Sequence, residues 1–372
     1  MSLPPQVQGA PSPAIPERVL LIKLRHHGDI LLSTPVLNAL KTNFPDCRVD
    51  YLVYAETVPM LSRNRDVHAI WRIDRALHGW RKPAHMLCLW WRLRRERYDW
   101  VIHLSDQFNG ALIAHGLRAR EVVGFDYPKR RGTRWASLFT RLAPIAQSNT
   151  LHTVEQNLLA LEALDVPLGD PATRRCTMAV AREDRTAIAD ILGELGVRGD
   201  YLVVHPSSRW FFKCWDDRRF AEVIQHLANE GWHVILSAGP AAEELELVAS
   251  ILRHVDSPRV HSLAGRLSLT TLAALIEGSR LFIGVDSVPM HMAAAFGKDT
   301  VALFGPSKIH EWHPWLTNYI LIDAADYGPL IDPDAVDTST RERYLAAIPT
   351  QAVLDAAHRL LDGEPTRQET QP

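Results

Sequence analysis

Short, nearly unbroken apolar runs recur along the chain, each followed by a polar turn and then a stretch with helical spacing. RVLLIKL (18–24), CRVDYLVY (47–54), DWVIHLS (99–105) and EVVGFDY (121–127) read as strands covered on both faces. A helix reaching about Asn43 follows the first of them, and another spans Val154–Leu164. Pro167–Thr177 has no clear period and marks a junction. Alternation then restarts with helix 183–195, strand 201–206, helix 220–230, strand 233–240, helix 243–255, a strand-like turn at 260–263 and helix 270–277. The segment LFIGVDSVPMHMAAAFGKDTVALFGP (281–306) closes the series as strand, acidic turn, short helix, strand.

Strands alternating with helices at this spacing predict an α/β fold with parallel sheets. Two such series predict two facing Rossmann-like domains with a central cleft, over 17–178 and 179–348, followed by a C-terminal helix over 349–362. Residues 1–16, with five prolines and no positive charge, and residues 363–372 are expected to be disordered tails; the first lacks the basic start and apolar centre of a signal peptide.

Composition adds limits. A chain of 372 residues with 47% hydrophobic content can bury a core in each of two domains. No long run is free of charges and turn formers, so no membrane-spanning helix is expected. The four cysteines, Cys47, Cys88, Cys176 and Cys214, form no C-x-x-C pair and read as reduced, cytosolic thiols. The net charge of −2 hides an asymmetry: residues 1–185 carry 26 Lys+Arg against 18 Asp+Glu, residues 186–372 carry 15 against 25. The basic half suits a polyanionic partner.

Four strand-end segments carry candidate chemistry. In the segment 281–306, Ser287 is placed to cap the next helix and Pro289 fits its first turn. Backbone N–H groups of Ser287 and Val288 can meet a phosphate, Asp286 can bind sugar hydroxyls, and His291 leans back toward the helix start. A capped core helix is the plainer alternative. HPSSRWFFKCW (205–215) offers the hydroxyls of Ser207 and Ser208 and the ammonium of Lys213 among aromatic residues. Glu243, opening a helix after Gly239, can accept from ribose or base, or only complement the helix dipole. In Arg25–Asp29, Gly28 permits close approach of a ligand, and Asp29 is a general-base candidate or a helix cap.

A basic segment, Arg72–Arg97, holds eight Arg or Lys against two acids, with Trp80, Trp90 and Trp91 interleaved. Arg81 and Lys82, with Arg130, Arg131 and Arg134 further on, are candidates for an anionic acceptor. MLCLWWRLRR is amphipathic enough to touch an anionic membrane surface; no nucleic-acid module is visible. There is no G-x-G-x-x-G, Walker loop, G-x-S-x-G or H-E-x-x-H, and Asp332-Pro-Asp334 lacks nearby phosphate-binding glycines, so no metal is expected.

With these sites in order, the chain resembles the ADP-heptose:lipopolysaccharide heptosyltransferases of glycosyltransferase family 9 over about residues 18–362. Gly28-Asp29, Thr34-Pro35 and Asp286-Ser287 with His291 match the family's signatures, and LIKLRHHGD, FKCW and GVDSVPMH carry the likeness most strongly. The resemblance implies a GT-B fold and inverting, metal-independent, cofactor-free transfer of heptose from ADP-L-glycero-D-manno-heptose to a heptose of the lipopolysaccharide inner core. It implies a cytoplasmic enzyme, peripheral on the inner face of the cytoplasmic membrane. Asp29 would be the base. Ser207, Lys213, Ser287 and the Val288 N–H would hold the diphosphate, Glu243 the adenosine end and Asp286 the donor sugar, with His291 bracing the loop. Many relatives carry Thr-Gly where this chain has Ser287-Val288, and Pro289 removes one N–H donor. A sugar-nucleotide epimerase of the same architecture and a non-catalytic sugar-nucleotide-binding protein are the competing readings.

Overall fold

The structure, a computed structural model, describes residues 15–79 and 81–364. The expected tails lie largely outside the described residues, and Trp80 lies outside them too.

The first half runs β1 (Arg18–Ile22), α1 (His27–Leu31), α2 (Thr34–Asn43), β2 (Arg48–Tyr54), β3 (Val67–Ile73), α3 (Arg81–Arg95), β4 (Trp100–His103), α4 (Phe108–Leu117), β5 (Glu121–Phe125), β6 (Arg141–Ala143) and α5 (Thr153–Glu162). The second runs α6 (Arg182–Glu194), β7 (Tyr201–His205), α7 (Asp217–Asn229), β8 (His233–Leu236), α8 (Ala242–Leu252), β9 (Val260–Ser262), α9 (Leu269–Glu277), β10 (Leu281–Val285), α10 (Val288–Ala295), β11 (Thr300–Phe304), α11 (Ile309–Trp312), β12 (Tyr319–Asp323) and α12 (Thr350–Leu361).

The described residues form two six-stranded sheets in the orders β3-β2-β1-β4-β5-β6 and β12-β11-β10-β7-β8-β9, every pairing parallel. These are two copies of one doubly wound topology. In each, strand order reverses next to the first strand, between β1 and β4 and between β7 and β10, which opens a crevice at the carboxyl ends there. The registers place Leu21 beside Tyr51 and Ile102, and Ile283 beside Val204 and Val301. The central strands are apolar throughout because helices cover both faces: Val19 to Ile22 and Leu281 to Ile283 are fully buried.

β3 and β6 escape the apolar-run pattern because they lie at sheet edges and mix apolar with polar residues, as Trp71 beside Arg72; β12, also at an edge, is an apolar run whose residues are mostly half-buried. The strands foreseen at 201–206, 233–240 and 301–306 stop early, at His205, Leu236 and Phe304. The residues cut off form the turns that leave the sheet. One apolar cluster runs from Val19 and Leu21 on β1 through Val154 and Leu158 on α5 to Val203 on β7 and Phe282 on β10, so the halves share core. Among the described residues, no helix is long and apolar enough to cross a membrane.

Candidate active site

The first wall rises from the carboxyl ends of β1 and β4. Asp29 is the third residue of α1, and its Oδ2 accepts from the His26 N–H at 3.3 Å. Its Oδ1 stands 4.0 Å from Lys23 Nζ and 3.9 Å from Arg25 Nε. The carboxylate therefore closes the first turn of α1 and, with its side chain 14% exposed, still reaches solvent in the cleft. Lys23 is buried; its ammonium donates to the Leu104 carbonyl at 2.8 Å and to Asn157 Oδ1 at 3.0 Å. Burial draws that ammonium down to about 8 against the opposing pull of Asp29. After β4, Asp106 meets Arg25 at 3.5 Å and also Lys129, and Arg130 donates to the Asp106 carbonyl at 2.7 Å with its guanidinium over the Trp135 ring.

The second wall is built from the ends of β7, β8 and β10. Lys213 Nζ donates to Asp286 Oδ2 at 2.5 Å, and its ammonium lies 4.8 Å from the centre of the Trp210 ring. Burial raises the Asp286 carboxyl, but Lys213 outweighs it with help from His291, and the group stays below the usual carboxylate range. Ser208 Oγ donates to the Asp286 carbonyl at 3.3 Å. Ser207 Oγ donates to Glu244 Oε2 at 2.6 Å, and the same oxygen accepts from the Gly239 N–H at 3.0 Å. A Cβ on Gly239 would come within 2.6 Å of the Glu244 carboxylate, so glycine is what lets this side chain fold back over the turn.

Ser287 departs from expectation. It occupies the N-cap position of α10, yet its hydroxyl makes no capping bond and is buried without a hydrogen-bond partner among the described residues. His291 Nδ1 is also buried and unpartnered, and burial draws this imidazole down to about 4. Buried polar atoms without partners are costly, and this pair lies beside the start of α10, where backbone N–H groups can meet an anion. Val288 is the first residue of α10 and Pro289 the second, so the branched side chain requires no left-handed backbone.

The walls touch. A Cβ on Gly28 would lie 3.3 Å from Cδ2 of His291 and 3.9 Å from Cγ2 of Val288. Arg209 Nη1 donates to His26 Nδ1 at 3.0 Å. Farther out, the Asn149 N–H donates to Glu311 at 2.7 Å, and His152 donates from Nε2 to the His313 carbonyl at 3.1 Å while stacked on Trp315.

Gly28, Asp29, Ser207, Ser208, Lys213, Asp286, Ser287, Val288 and His291 thus lie at the two facing crevices. Glu243 does not turn inward: its side chain is 63% exposed and pairs with Arg341, while Glu244 holds the turn. Both border a cavity of about 130 Å³ with Ser207, Ser208 and Leu247, and an adjoining cavity of about 340 Å³ continues past Phe211 to Arg341 and Arg343. A larger void, about 550 Å³, lies against α7 near His226 and His254, away from the crevice. Arg130 stands on the first wall; Arg131 pairs with Asp126 at the surface, and Lys82 and Arg134 are exposed. Arg81 begins α3, but its side chain is not among those described. Asp332 Oδ1 caps the Asp334 N–H of its own turn, and Asp334 pairs with Lys308. Sequence reasoning missed Lys23, Arg25, Asp106 and Glu244. The signals were present in a cation within an apolar strand run and in an acid five residues beyond a strand-end glycine.

The sequence matches glycosyltransferase family 9 (heptosyltransferase) over residues 86–340. It is 36% identical to lipopolysaccharide heptosyltransferase 3 of Escherichia coli over 92% of this chain and 99% of that protein. It is 38% identical to the protein of the same name from Escherichia coli strain K12, over 91% and 96% respectively. In three dimensions it is similar to E. coli ADP-heptose lipopolysaccharide heptosyltransferase II, with a TM-score of 0.72 at 23% identity over 93% of this chain and 99% of that one.

Proposed function

The chain belongs to glycosyltransferase family 9, the heptosyltransferases, and on that footing we propose that it transfers heptose from ADP-L-glycero-D-manno-heptose to a heptose of the lipopolysaccharide inner core. It is a glycosyltransferase of GT-B architecture, and its branch is that of lipopolysaccharide heptosyltransferase 3. Membership of a transferase family does not favour the epimerase or the binding-protein reading.

The observation that carries the reaction is the opposition of Asp29 to the Lys213–Asp286–Ser287 cluster, with Gly28 against His291 between them. In this reading the acceptor lies on the basic wall of residues 17–178 and the donor on that of residues 179–348. Asp29 takes the proton of the acceptor hydroxyl as that oxygen attacks the anomeric carbon from the face opposite ADP, so the configuration inverts. Positive charge develops on the ring, and Asp286 is the carboxylate nearest the donor wall to offset it. Negative charge develops on ADP, where Lys213, the Ser287 hydroxyl and the start of α10 receive it without a metal or cofactor. The adenosine end occupies the cavity beside Phe211 and Leu247, with Glu243 and Glu244 at its border. The lipid-linked acceptor places the enzyme on the inner face of the cytoplasmic membrane as a peripheral protein.

The test is incubation with ADP-heptose and a series of truncated core lipopolysaccharides, with the product identified by mass and linkage. A heptosylated inner core is expected. Hydrolysis or epimerisation of the donor with no acceptor product would overturn the reading.

A further inference from the structure

Three of the large apolar side chains most exposed among the described residues stand on one side of the first half. Leu87 is 67% exposed and Trp91 53% exposed on α3, and Leu112 is 48% exposed on α4. Leu87 and Trp91 are one helical turn apart and share a face. α3 already buries another face, through Leu89 and Leu93, against the sheet. The outward strip is thus a second apolar face that the fold itself leaves uncovered.

α3 and α4 pack side by side at Trp90 and Gly116. A Cβ on Gly116 would fall 2.6 Å from Trp90 Nε1, and Arg94 donates to the Gly116 carbonyl at 2.6 Å. One turn earlier in each helix come Leu87 and Leu112, which places both on the same side. The sequence segments around the strip are predominantly cationic, with Glu96, Glu121 and Asp126 just beyond them. No Asp or Glu occurs in residues 75–95, 107–120 or 127–141, which include Lys82, Arg92, Arg95, Arg118 and Arg134. The Arg95 guanidinium lies 4.2 Å from the centre of the Trp91 ring, an arrangement that keeps a cation at the rim of the apolar strip.

We propose that the Leu87–Trp91–Leu112 face is a docking surface for an anionic lipid bilayer, with these three side chains entering the acyl boundary and the surrounding Arg and Lys meeting lipid phosphates. Charge complementarity selects this occupant: a predominantly cationic rim disfavours a second copy of itself and fits a negatively charged plane. The placement suits the lipid-linked acceptor. α3 and α4 begin at the carboxyl edge of the sheet, and at 1.5 Å per residue Leu87 and Leu112 lie within about 10 Å of that edge along the helix axes. The proposal rests on the acceptor reading only for this orientation.

The full chain is mixed with vesicles of equal parts phosphatidylglycerol and phosphatidylcholine, and with phosphatidylcholine alone, and bound protein is separated by flotation. Binding to the anionic vesicles, weakened by salt, is expected. Leu87→Glu/Trp91→Glu should lower partitioning about ten-fold or more and leave turnover on a short delipidated acceptor unchanged. Cys88 is exposed while Cys47, Cys176 and Cys214 are buried, so a polarity-sensitive fluorophore on Cys88 reports insertion without substitution. It should shift to the blue on anionic vesicles. Equal binding to both vesicle types, unaltered binding by the double variant, or a variant that changes only the oligomeric state would each overturn the proposal. Vesicle binding without heptosyl transfer would overturn the acceptor reading and leave the docking face standing.

Discussion

The imidazole of His291, on α10 of the second half, lies against the backbone of Gly28, on α1 of the first, with 3.3 Å between Cδ2 and the place a Cβ would take. One contact thus joins the neighbour of the proposed base to the helix that begins the proposed donor site. Gly28→Ala is expected to push the walls apart by a few tenths of an ångström. Overpacking of this kind costs about 1–3 kcal/mol. The larger effect should be on alignment, with kcat/KM falling several-fold, toward the roughly 100-fold that a full 1 Å misplacement would cost. Steady-state kinetics beside a thermal melt check this, and unchanged turnover would remove the contact from the mechanism.

Asp29→Asn keeps the size of the side chain and removes the proton acceptor. Transfer should fall about 10²–10⁴-fold, while ADP affinity, measured by calorimetry, stays within a few-fold of wild type. An equal loss of both would place Asp29 in the donor site instead.

Lys213→Ala should have two consequences. ADP binding weakens, and Asp286 is left as a buried carboxylate without its 2.5 Å partner. Loss of one member of a buried pair costs about 3–5 kcal/mol. The double variant Lys213→Met/Asp286→Asn should recover part of that stability without recovering activity. Chemical denaturation of the two variants beside the wild type separates the two roles.

Ser287→Ala isolates ligand binding from folding. Because the Ser287 hydroxyl is buried with no partner in the protein alone, its removal should leave stability unchanged or raise it by about 1 kcal/mol. ADP affinity should nevertheless fall. A destabilised variant would mean that the hydroxyl serves the helix rather than a ligand.

Acid should unfold the protein through its buried histidines. Burial draws His103 down to about 3, and His205 and His291 to about 4, from an ordinary 6.5. As pH falls below about 6.5 the unfolded chain takes up protons that the folded one excludes, so stability is full above that pH and drops toward 4. Each histidine weakens the folding equilibrium by up to about ten-fold per pH unit. Asp286, held low by Lys213 against its burial, adds a loss in the same direction at lower pH. Urea midpoints across this range check the slope. For His205→Gln, which removes one of these titrating groups, the curve should be shallower.

Much of the architecture was legible before any coordinates. β1, β4, β7 and β10 are covered on both faces, and that burial is written as apolar runs of three to five residues. Edge strands such as β3 carry their burial on fewer positions and leave a weaker trace. The acids and cations that close the central strands, Asp29, Lys213 and Asp286, could be picked out because ligands bind at strand ends in this class of fold. That Glu244 rather than Glu243 bonds Ser207 and the Gly239 turn was not legible, because both sit in the first turn of α8. Which of two adjacent side chains folds back over the Gly239 turn depends on the path of the chain there, not on residue type.

Local patterning by itself determined the two alternating α/β series, their helix stops and the residue types available at each strand end, since these follow from neighbours within a few positions. Tertiary structure alone decided which of those residues meet. Lys213 and Asp286 are 73 residues apart, Arg209 and His26 are 183 apart, and His152 and His313 are 161 apart. The first pairing is set by β7 and β10 lying side by side in one sheet, the other two by the packing of one half against the other. The same packing leaves Ser287 and His291 with buried, unsatisfied polar atoms, a property no single segment of sequence can express.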